Sequence, residues 1–425
     1  MRILGVGHYL DLGSIYLRLA AEGHDVRVHV VAEESRDVLA GMLVLEPDLD
    51  AGLAWVGADG LVVFEDIGWG ELQDRLRREG VRVIGGSALG DRLEQDRAFG
   101  QQFLRDHGMT TLPIHTFTGF ADAIAFVRAQ PARYVLKFHG SDLPSDANYV
   151  GMWPDGADVL ATLERHQARW DEPPPELSLM AHVQGVETGL GAFFDGTRFV
   201  GPINLDWEHK RFFPGDIGEL TGEMGTVVTY RGGDKLFAAT LGRCEAALRA
   251  AHHVGYVNLN TIINAAGVWP LELTCRFGYP GFAILSELFA APCGEILAGV
   301  AGGALPSFST QPGYAVGIVL TVPPFPYHHG YEELGKGVAI LLPPDADPRH
   351  LHYGEVALVD GRLVTAGQVG YVMVVTGKGA TVAAAQDAAY GLARRIAIPN
   401  VRFRCDIGDG LRAHGLAELA RLGWL

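Results

Sequence analysis

Short apolar runs alternate with helical patterns through the first 88 residues, and this alternation restricts the possible fold more than any other feature. Patterns of buried strands cover residues 2–6, 26–31, 61–64 and 81–84, and helical patterns cover residues 12–19 and 70–78. Because strands separated by crossover helices run parallel with right-handed connections, one twisted sheet with helices on its faces is expected. The sequence therefore predicts an N-terminal parallel α/β domain over residues 1–88.

The rest of the chain has the patterns of α+β subdomains. Apolar residues at helical spacing predict one helix over residues 93–107, and a final helix is expected over 381–396. Strands are predicted over residues 134–138, over 177–183 and 189–194 around a turn, and in a hairpin formed by 256–263 and 268–273. We predict a central region over 89–313, an inserted subdomain over about 115–185, and a C-terminal sheet domain over 314–425.

Composition excludes several classes of function. The 425 residues carry a formal net charge of -16, which argues against nucleic acid as a partner because phosphate binding needs a basic face. Four cysteines without a CxxC pair argue against a zinc module or a disulfide framework. No apolar run approaches the roughly 20 residues of a membrane span, and no signal peptide opens the sequence. We expect a cytoplasmic protein without a membrane partner, either a monomer or a homodimer.

Chemically reactive side chains concentrate in two segments, residues 206–225 and 270–280. In the second segment, Glu272, Thr274 and Arg276 alternate at the end of a strand pattern, so their side chains share one face. In the first, Lys210 and Arg211 supply positive charge beside glycines whose backbone amides can approach an anion closely. The alternatives are an ion pair on a sheet face and a solvated charged turn.

Both segments resemble the active-site motifs of ATP-grasp carboxylate–amine ligases, and in particular the phosphoribosylamine–glycine ligase family. That family has the pattern Glu-x-Asn-x-Arg-Phe-Gly-Asp-Pro-Glu, and this chain retains five of its positions: Glu272, Arg276, Phe277, Gly278 and Pro280. It departs from the pattern at three: Thr274, Tyr279 and Gly281. The first segment resembles the family's His-Lys-Arg run and its following glycine-rich loop. In that loop Glu223 stands where a glycine is usual.

The resemblance implies an ATP-grasp fold and an ATP-dependent, ADP-forming carbon–nitrogen ligase that uses Mg²⁺, with Mn²⁺ as an alternative metal. A small carboxylate, such as glycine or another amino acid, would be phosphorylated and then attacked by an amine. The metal would be held by Glu272 and Thr274. Catalytic roles are implied for Arg276, Lys210, Arg211 and Asp216, the last orienting an amino group. ATP binding is implied for Lys137, Glu187, His182, Thr221 and Gly222.

Two of these candidates have plain structural alternatives, and two regions depart from the family. The alternative for Lys137 is an edge-strand lysine whose ammonium reaches solvent, and the alternative for Glu187 is an exposed carboxylate. The N-terminal loop at residues 5–13 lacks the family's Arg-Glu-His, although its strand–turn–helix pattern could hold a phosphate at the helix N-terminus. Residues 139–146 replace a glycine- and lysine-rich lid. The amine therefore need not be phosphoribosylamine, and a catalytically inactive nucleotide-binding or regulatory protein is the alternative.

Overall fold

The computed structural model describes residues 1–138, 148–170 and 176–425. The chain begins with five parallel strands, β1 (Arg2–Gly7), β2 (Asp25–Val30), β3 (Val44–Leu45), β4 (Leu61–Phe64) and β5 (Val83–Ile84). They lie in the order β3-β2-β1-β4-β5, with α1 (Gly13–Ala21), α2 (Leu49–Val56) and α3 (Gly70–Arg78) as crossovers. Strand β4 is buried along its whole length, as expected for a parallel strand covered on both faces. The predicted parallel α/β unit is confirmed.

A smaller four-stranded sheet follows two short helices, α4 (Ala88–Gln95) and α5 (Arg97–Asp106). Its strands are β6 (Ile114–Phe117), β7 (Tyr134–Phe138), β8 (Tyr149–Val150) and β9 (Leu177–Ala181), in the order β6-β9-β7-β8. Helices α6 (Phe120–Ala129) and α7 (Ala157–Arg169) pack against each other and bury an apolar core of their own. The altered lid segment at residues 139–146 lies outside the described residues.

The largest element is an antiparallel sheet of eight strands. These are β10 (Val186–Asp195), β11 (Phe199–Glu208), β14 (Gly225–Thr229), β15 (Val254–Asn264), β16 (Gly267–Thr274), β17 (Tyr314–Thr321), β18 (Leu351–Tyr353) and β21 (Tyr371–Gly379). Their order is β16-β15-β10-β11-β14-β17-β21-β18. The sheet continues across the predicted boundary at residues 313–314, because β17 pairs with β14 on one side and with β21 on the other.

Two hairpins and seven further α-helices complete the strands and α-helices of the described chain, which also has short 3-10 segments and one π-helical turn. The hairpins are β12 (Arg211–Phe213) with β13 (Ile217–Leu220), and β19 (Val356–Val359) with β20 (Arg362–Thr365). The helices are α8 (Asp234–Ala239), α9 (Glu245–Ala250), α10 (Gly281–Ser286), α11 (Cys293–Ala301), α12 (Tyr331–Leu334), α13 (Val382–Ala393) and α14 (Leu416–Arg421). Among the helices of the described ranges, none has the length and hydropathy of a membrane-spanning segment.

The structure corrects two sequence predictions. The single helix expected over residues 93–107 is two helices that meet at Asp96, whose carboxylate accepts a hydrogen bond from Phe99 N at 2.9 Å. Such an N-cap starts a new helix and so interrupts the apolar periodicity. The strands predicted around a turn at residues 177–194 also do not pair, since β9 belongs to the four-stranded sheet and β10 to the eight-stranded sheet.

Candidate active site

A cleft lies over one face of the eight-stranded sheet, at strands β11, β15 and β16. Helices α4, α5 and α10 form its other walls, together with residues around 222–226. Five of the residues proposed from sequence line it: Lys210, Gly222, Glu272, Thr274 and Arg276. Glu272 and Thr274 on β16 and Arg276 just after it thus share one cleft, as the sequence predicts.

Three cations converge on Glu272. Its carboxylate lies 3.1 Å from Arg97 Nη1, 3.3 Å from Lys137 Nζ and 3.6 Å from Lys210 Nζ. The charge of Lys137 is the largest influence that holds the pKa of Glu272 well below its usual range, so Glu272 is ionised. Because Lys137 lies on β7 and Glu272 on β16, this ion pair also joins the smaller sheet to the larger one.

Lys210 lies between two carboxylates. Its Nζ is 3.0 Å from Glu208 Oε2, which also accepts a hydrogen bond from Asn260 Nδ2 at 3.3 Å. Burial opposes the positive charge of Lys210, but Glu208 and Glu272 raise its pKa well above the ordinary value. The Lys210 ammonium therefore stays charged beside the carboxylates of Glu208 on β11 and Glu272 on β16.

The residues present fit a nucleotide with a divalent metal. Carboxylate and amide oxygens of Glu272, Glu208 and Asn260 are the ligand types that Mg²⁺ prefers. Lys137, Lys210 and Arg97 are cations of the kind that hold phosphate oxygens. Arg97 Nη2 is buried and has no hydrogen-bond partner among the described residues, which leaves one donor for a ligand.

Sequence analysis missed Arg97, Glu208 and Asn260. Asn260 faces Glu272 in the register of the β15–β16 hairpin, a pairing that the predicted hairpin could have indicated. Glu208 directly precedes the His-Lys-Arg run, where it was not assigned a role. Arg97 follows the break between α4 and α5, and no local pattern marks it as a partner of a residue 175 positions away.

Arg276 forms a second ion pair at the wall of the cleft. Its Nε lies 3.0 Å from Glu94 Oε1, and the other oxygen of Glu94 accepts a hydrogen bond from Cys275 N at 3.1 Å. Burial opposes the charge of Arg276, but Glu94 raises its pKa. Glu94, which sequence analysis also missed, thus fixes the guanidinium as it enters the cleft from the end of β16.

Two predicted catalytic residues lie outside the cleft. Asp216 accepts a hydrogen bond from Arg404 Nη1 at 2.8 Å, and Arg404 is buried in the C-terminal part of the chain. Arg211 Nη1 donates to Gly218 O at 2.7 Å within the β12–β13 hairpin. The structure therefore does not bring Arg211 and Asp216 together with Glu272.

Three of the predicted nucleotide-binding residues, Thr221, Glu187 and His182, do not lie together in the cleft. Thr221 is buried and donates from Oγ1 to Lys210 O at 2.8 Å, so it anchors the backbone of Lys210. Glu187 is exposed on β10, and its charge contributes to the raised pKa of Lys210. His182 donates its backbone amide to Arg133 O at 3.0 Å and does not line the cleft.

The N-terminal loop holds a carboxyl group where a phosphate was expected. Glu65 Oε2 accepts a hydrogen bond from Leu12 N, at the start of α1, at 2.6 Å, and the Glu65 side chain is buried. A Cβ atom at residue 7 would lie 1.9 Å from Glu65 Oε1, so Gly7 is required by this arrangement. The sequence pattern allows a phosphate at this helix N-terminus, but a side chain already fills the position.

The fold and the cleft define an ATP-grasp protein. A solved phosphoribosylamine–glycine ligase from Thermotoga maritima matches with a TM-score of 0.72 and 22% identity, covering 96% of this chain and 100% of that one. Within this class, the chain is similar over nearly its whole length to phosphoribosylamine–glycine ligases. The relative from Corynebacterium ammoniagenes is 27% identical over 96% of this chain and 97% of its own.

The relative from Caulobacter vibrioides is 28% identical over 92% of each chain. No family model matches the sequence. The predicted resemblance to phosphoribosylamine–glycine ligases and the predicted ATP-grasp fold are both confirmed, as is the class of carbon–nitrogen ligase.

Proposed function

We propose that the chain is an ATP- and Mg²⁺-dependent ligase that joins a small carboxylate to an amine and releases ADP and phosphate. The observation that carries the proposal is the convergence of Arg97, Lys137 and Lys210 on Glu272 in one cleft. The ligase names of the relatives support the same class of reaction.

The cations of the cleft have a direct role in such a reaction. When bound, Mg²⁺ would neutralise charge on the phosphates and hold them in place, with Glu272, Glu208 and Asn260 as its protein ligands. Lys137 and Lys210 would hold phosphate oxygens, offsetting the charge that develops as the phosphoryl group transfers to the carboxylate. Attack by the amine then forms the amide and expels phosphate.

The amine is proposed to lack a ribosyl phosphate. The relatives are named for phosphoribosylamine, but in this chain the carboxyl group of Glu65 fills the N-terminus of α1. Asp66 adds a second acceptor there, since its Oδ2 receives a hydrogen bond from His8 N at 2.7 Å. The backbone amides of Leu12 and His8 are thus already engaged by carboxyl groups, which disfavours a phosphate at this position.

The proposal is tested by measuring release of ADP and phosphate with ATP, Mg²⁺ and a panel of carboxylates and amines, including glycine with phosphoribosylamine. We expect release that requires both a carboxylate and an amine, and faster turnover with an unphosphorylated amine. Glu272→Ala should lose at least ~100-fold in kcat/KM, the scale for removing one electrostatic contact in an active site.

Glu245→Gln is the control, because Glu245 forms an exposed pair with Arg249 and does not line the cleft. Nucleotide binding without ADP release for every pair would contradict the ligase and favour the inactive nucleotide-binding protein. The replacement of the family's asparagine by Thr274 makes that outcome a specific alternative. Full activity in Glu272→Ala would remove Glu272 from the reaction.

A further inference from the structure

The inner part of the cleft contains two carboxyl groups that the reaction described above does not use. Asp206 lies on β11 and Glu223 just before β14, each with 4% of its surface exposed. Both line the cleft. Asp206 Oδ1 and Glu223 Oε1 have no hydrogen-bond partner among the described residues.

Glycines on β10, the strand between β11 and β15, create the space for the contacts of Asp206. Asp206 Oδ2 accepts hydrogen bonds from Asn204 Nδ2 at 2.9 Å and from Asn258 Nδ2 at 2.8 Å, although Asn258 lies on β15, across the intervening strand β10. A Cβ atom at Gly189 of β10 would lie 1.9 Å from Asp206 Oδ1. Asp206 Oδ2 is thus fixed by two hydrogen bonds, and Oδ1 has no hydrogen-bond partner among the described residues.

Neither carboxyl group has a cationic partner. Within residues 1–138, 148–170 and 176–425, no ion pair is formed by Asp206 or Glu223. Burial raises the pKa of Glu223 well above its usual range. A buried carboxylate is costly unless it is paired, so both groups favour a positive charge arriving from the cleft.

We propose that Asp206 and Glu223 form an ammonium subsite, which binds the protonated amino group of a substrate. The proposal rests on the ligase function proposed above and names the chemical class of one substrate group. Asp206 is two residues before Glu208 on β11, so it lies about 7 Å along the strand from Glu208, whose carboxylate contacts Lys210. The buried ring of Tyr256 lines the same part of the cleft and offers a further surface for a cation.

The acidic groups of this chain differ in place from those of the family pattern. Glu223 stands where a glycine is usual, while Tyr279 and Gly281 stand where the pattern has an aspartate and a glutamate. The carboxylates are therefore absent from the loop after β16 and present at β11 and before β14. Asp216, from which an amino-group contact was expected, is engaged by Arg404 instead.

The test compares ligands that differ only in an ammonium group. Binding of glycine against glycolate, and of ethanolamine against ethylene glycol, is measured by calorimetry on the full chain with Mg²⁺ and ATP analogue present. We expect the wild-type chain to prefer an ammonium ligand by about 10-fold or more, the size of a hydrogen bond to a charged group. A preference within the glycine pair assigns the ammonium to the carboxylate substrate, and one within the ethanolamine pair assigns it to the amine.

Glu223→Gln should abolish most of this preference while nucleotide affinity stays unchanged, and Glu223→Gly provides a second variant that restores the family residue. Glu245→Gln serves as the control and should keep the preference. An unchanged preference in both Glu223 variants, or its absence in the wild-type chain, overturns the ammonium subsite.

ADP release is measured on the same proteins with the panel of carboxylates and amines. An ammonium preference without any ADP release contradicts the ligase and leaves the ammonium subsite in place. ADP release without an ammonium preference contradicts the ammonium subsite alone.

Discussion

The two ends of the cleft neutralise their carboxylates in opposite ways. At the outer end, Glu272 is paired with three cations of the protein, and its pKa is lowered, first by the charge of Lys137. At the inner end, Asp206 and Glu223 form no ion pair with any described residue, and burial raises the pKa of both. In our proposals, the paired charges of the outer end hold phosphate and a metal, whereas the carboxyl groups of the inner end bind a cationic group of a substrate.

The largest effect is expected from removing the cation between the paired carboxylates. Lys210→Met leaves Glu208 and Glu272 without their shared ammonium and removes the contact to phosphate that we propose for Lys210. We expect a loss of roughly 100-fold in kcat/KM, typical of deleting a preorganised charge at a reacting group. Initial rates of ADP release at varied ATP and amine concentrations measure the change.

Lys235→Met is the control, because Lys235 is a surface lysine that donates to Gly423 O near the C-terminus. If Lys210→Met retains more than a tenth of the wild-type kcat/KM, Lys210 does not act on the transferring group. The outer end would then serve only to join the two sheets through Lys137.

Glu287, a carboxylate outside the cleft that is paired with two histidine side chains, provides a comparison for Glu272 at the outer end. Glu287 lies 2.9 Å from His350 Nδ1 and 3.0 Å from His352 Nε2. Burial opposes its charge, but the hydrogen bonds from His350 and His352 lower its pKa to about 2. Glu287→Gln should reduce the free energy of unfolding by about 2 kcal/mol at pH 5.5, measured by urea denaturation.

The pH dependence of the loss of stability in Glu287→Gln follows from the pKa shifts of Glu287 and His350. Because the folded pKa of Glu287 is depressed, its contribution is present above about pH 4.5 and is lost as pH falls toward 2. The hydrogen bond to Glu287 raises the pKa of His350 above 6.5, so the histidine contribution is lost as pH rises through that raised value. A variant whose destabilisation is as large at pH 9 as at pH 5.5 would contradict this assignment.

The sequence was sufficient for features that depend on local pattern. Alternating apolar runs predicted the parallel sheet, and the alternation of Glu272 and Arg276 correctly placed both in one cleft. It was insufficient where a contact joins distant segments. Arg97 meets Glu272 only after α5 packs on β16, and the glycines of β10 permit the bond from Asn258 to Asp206 only once three strands are aligned.

At the inner end, removing the charge should stabilise the free protein. Asp206→Asn keeps a carbonyl oxygen that can accept the hydrogen bonds from Asn204 and Asn258. Burial raises the pKa of Asp206 in the folded chain to about 7. Ionising the buried carboxyl group therefore destabilises the folded state increasingly as pH rises from about 4 to 7, and by its full amount above pH 7. We expect a gain of about 1 kcal/mol in unfolding free energy at pH 8 and none at pH 4.

Asp195→Asn is the matched control with the opposite expected sign. Asp195 is also buried, but hydrogen bonds from Thr197 and from the Arg198 backbone lower its pKa. The same substitution there should destabilise the chain at pH 8. If both variants lose stability equally, the contrast between paired and unpaired carboxylates is wrong for Asp206.

The smallest effect is expected for Arg211, which directly follows Lys210 in the chain but lies outside the cleft. Its guanidinium donates to Gly218 O within the β12–β13 hairpin, so Arg211→Ala removes a contact of the hairpin and none of the cleft. We expect kcat/KM to change by less than about 2-fold, as for a surface contact. A loss above 10-fold in the ADP-release assay would mean that the hairpin closes over the cleft when substrates bind, and that the outer end gains a fourth cation.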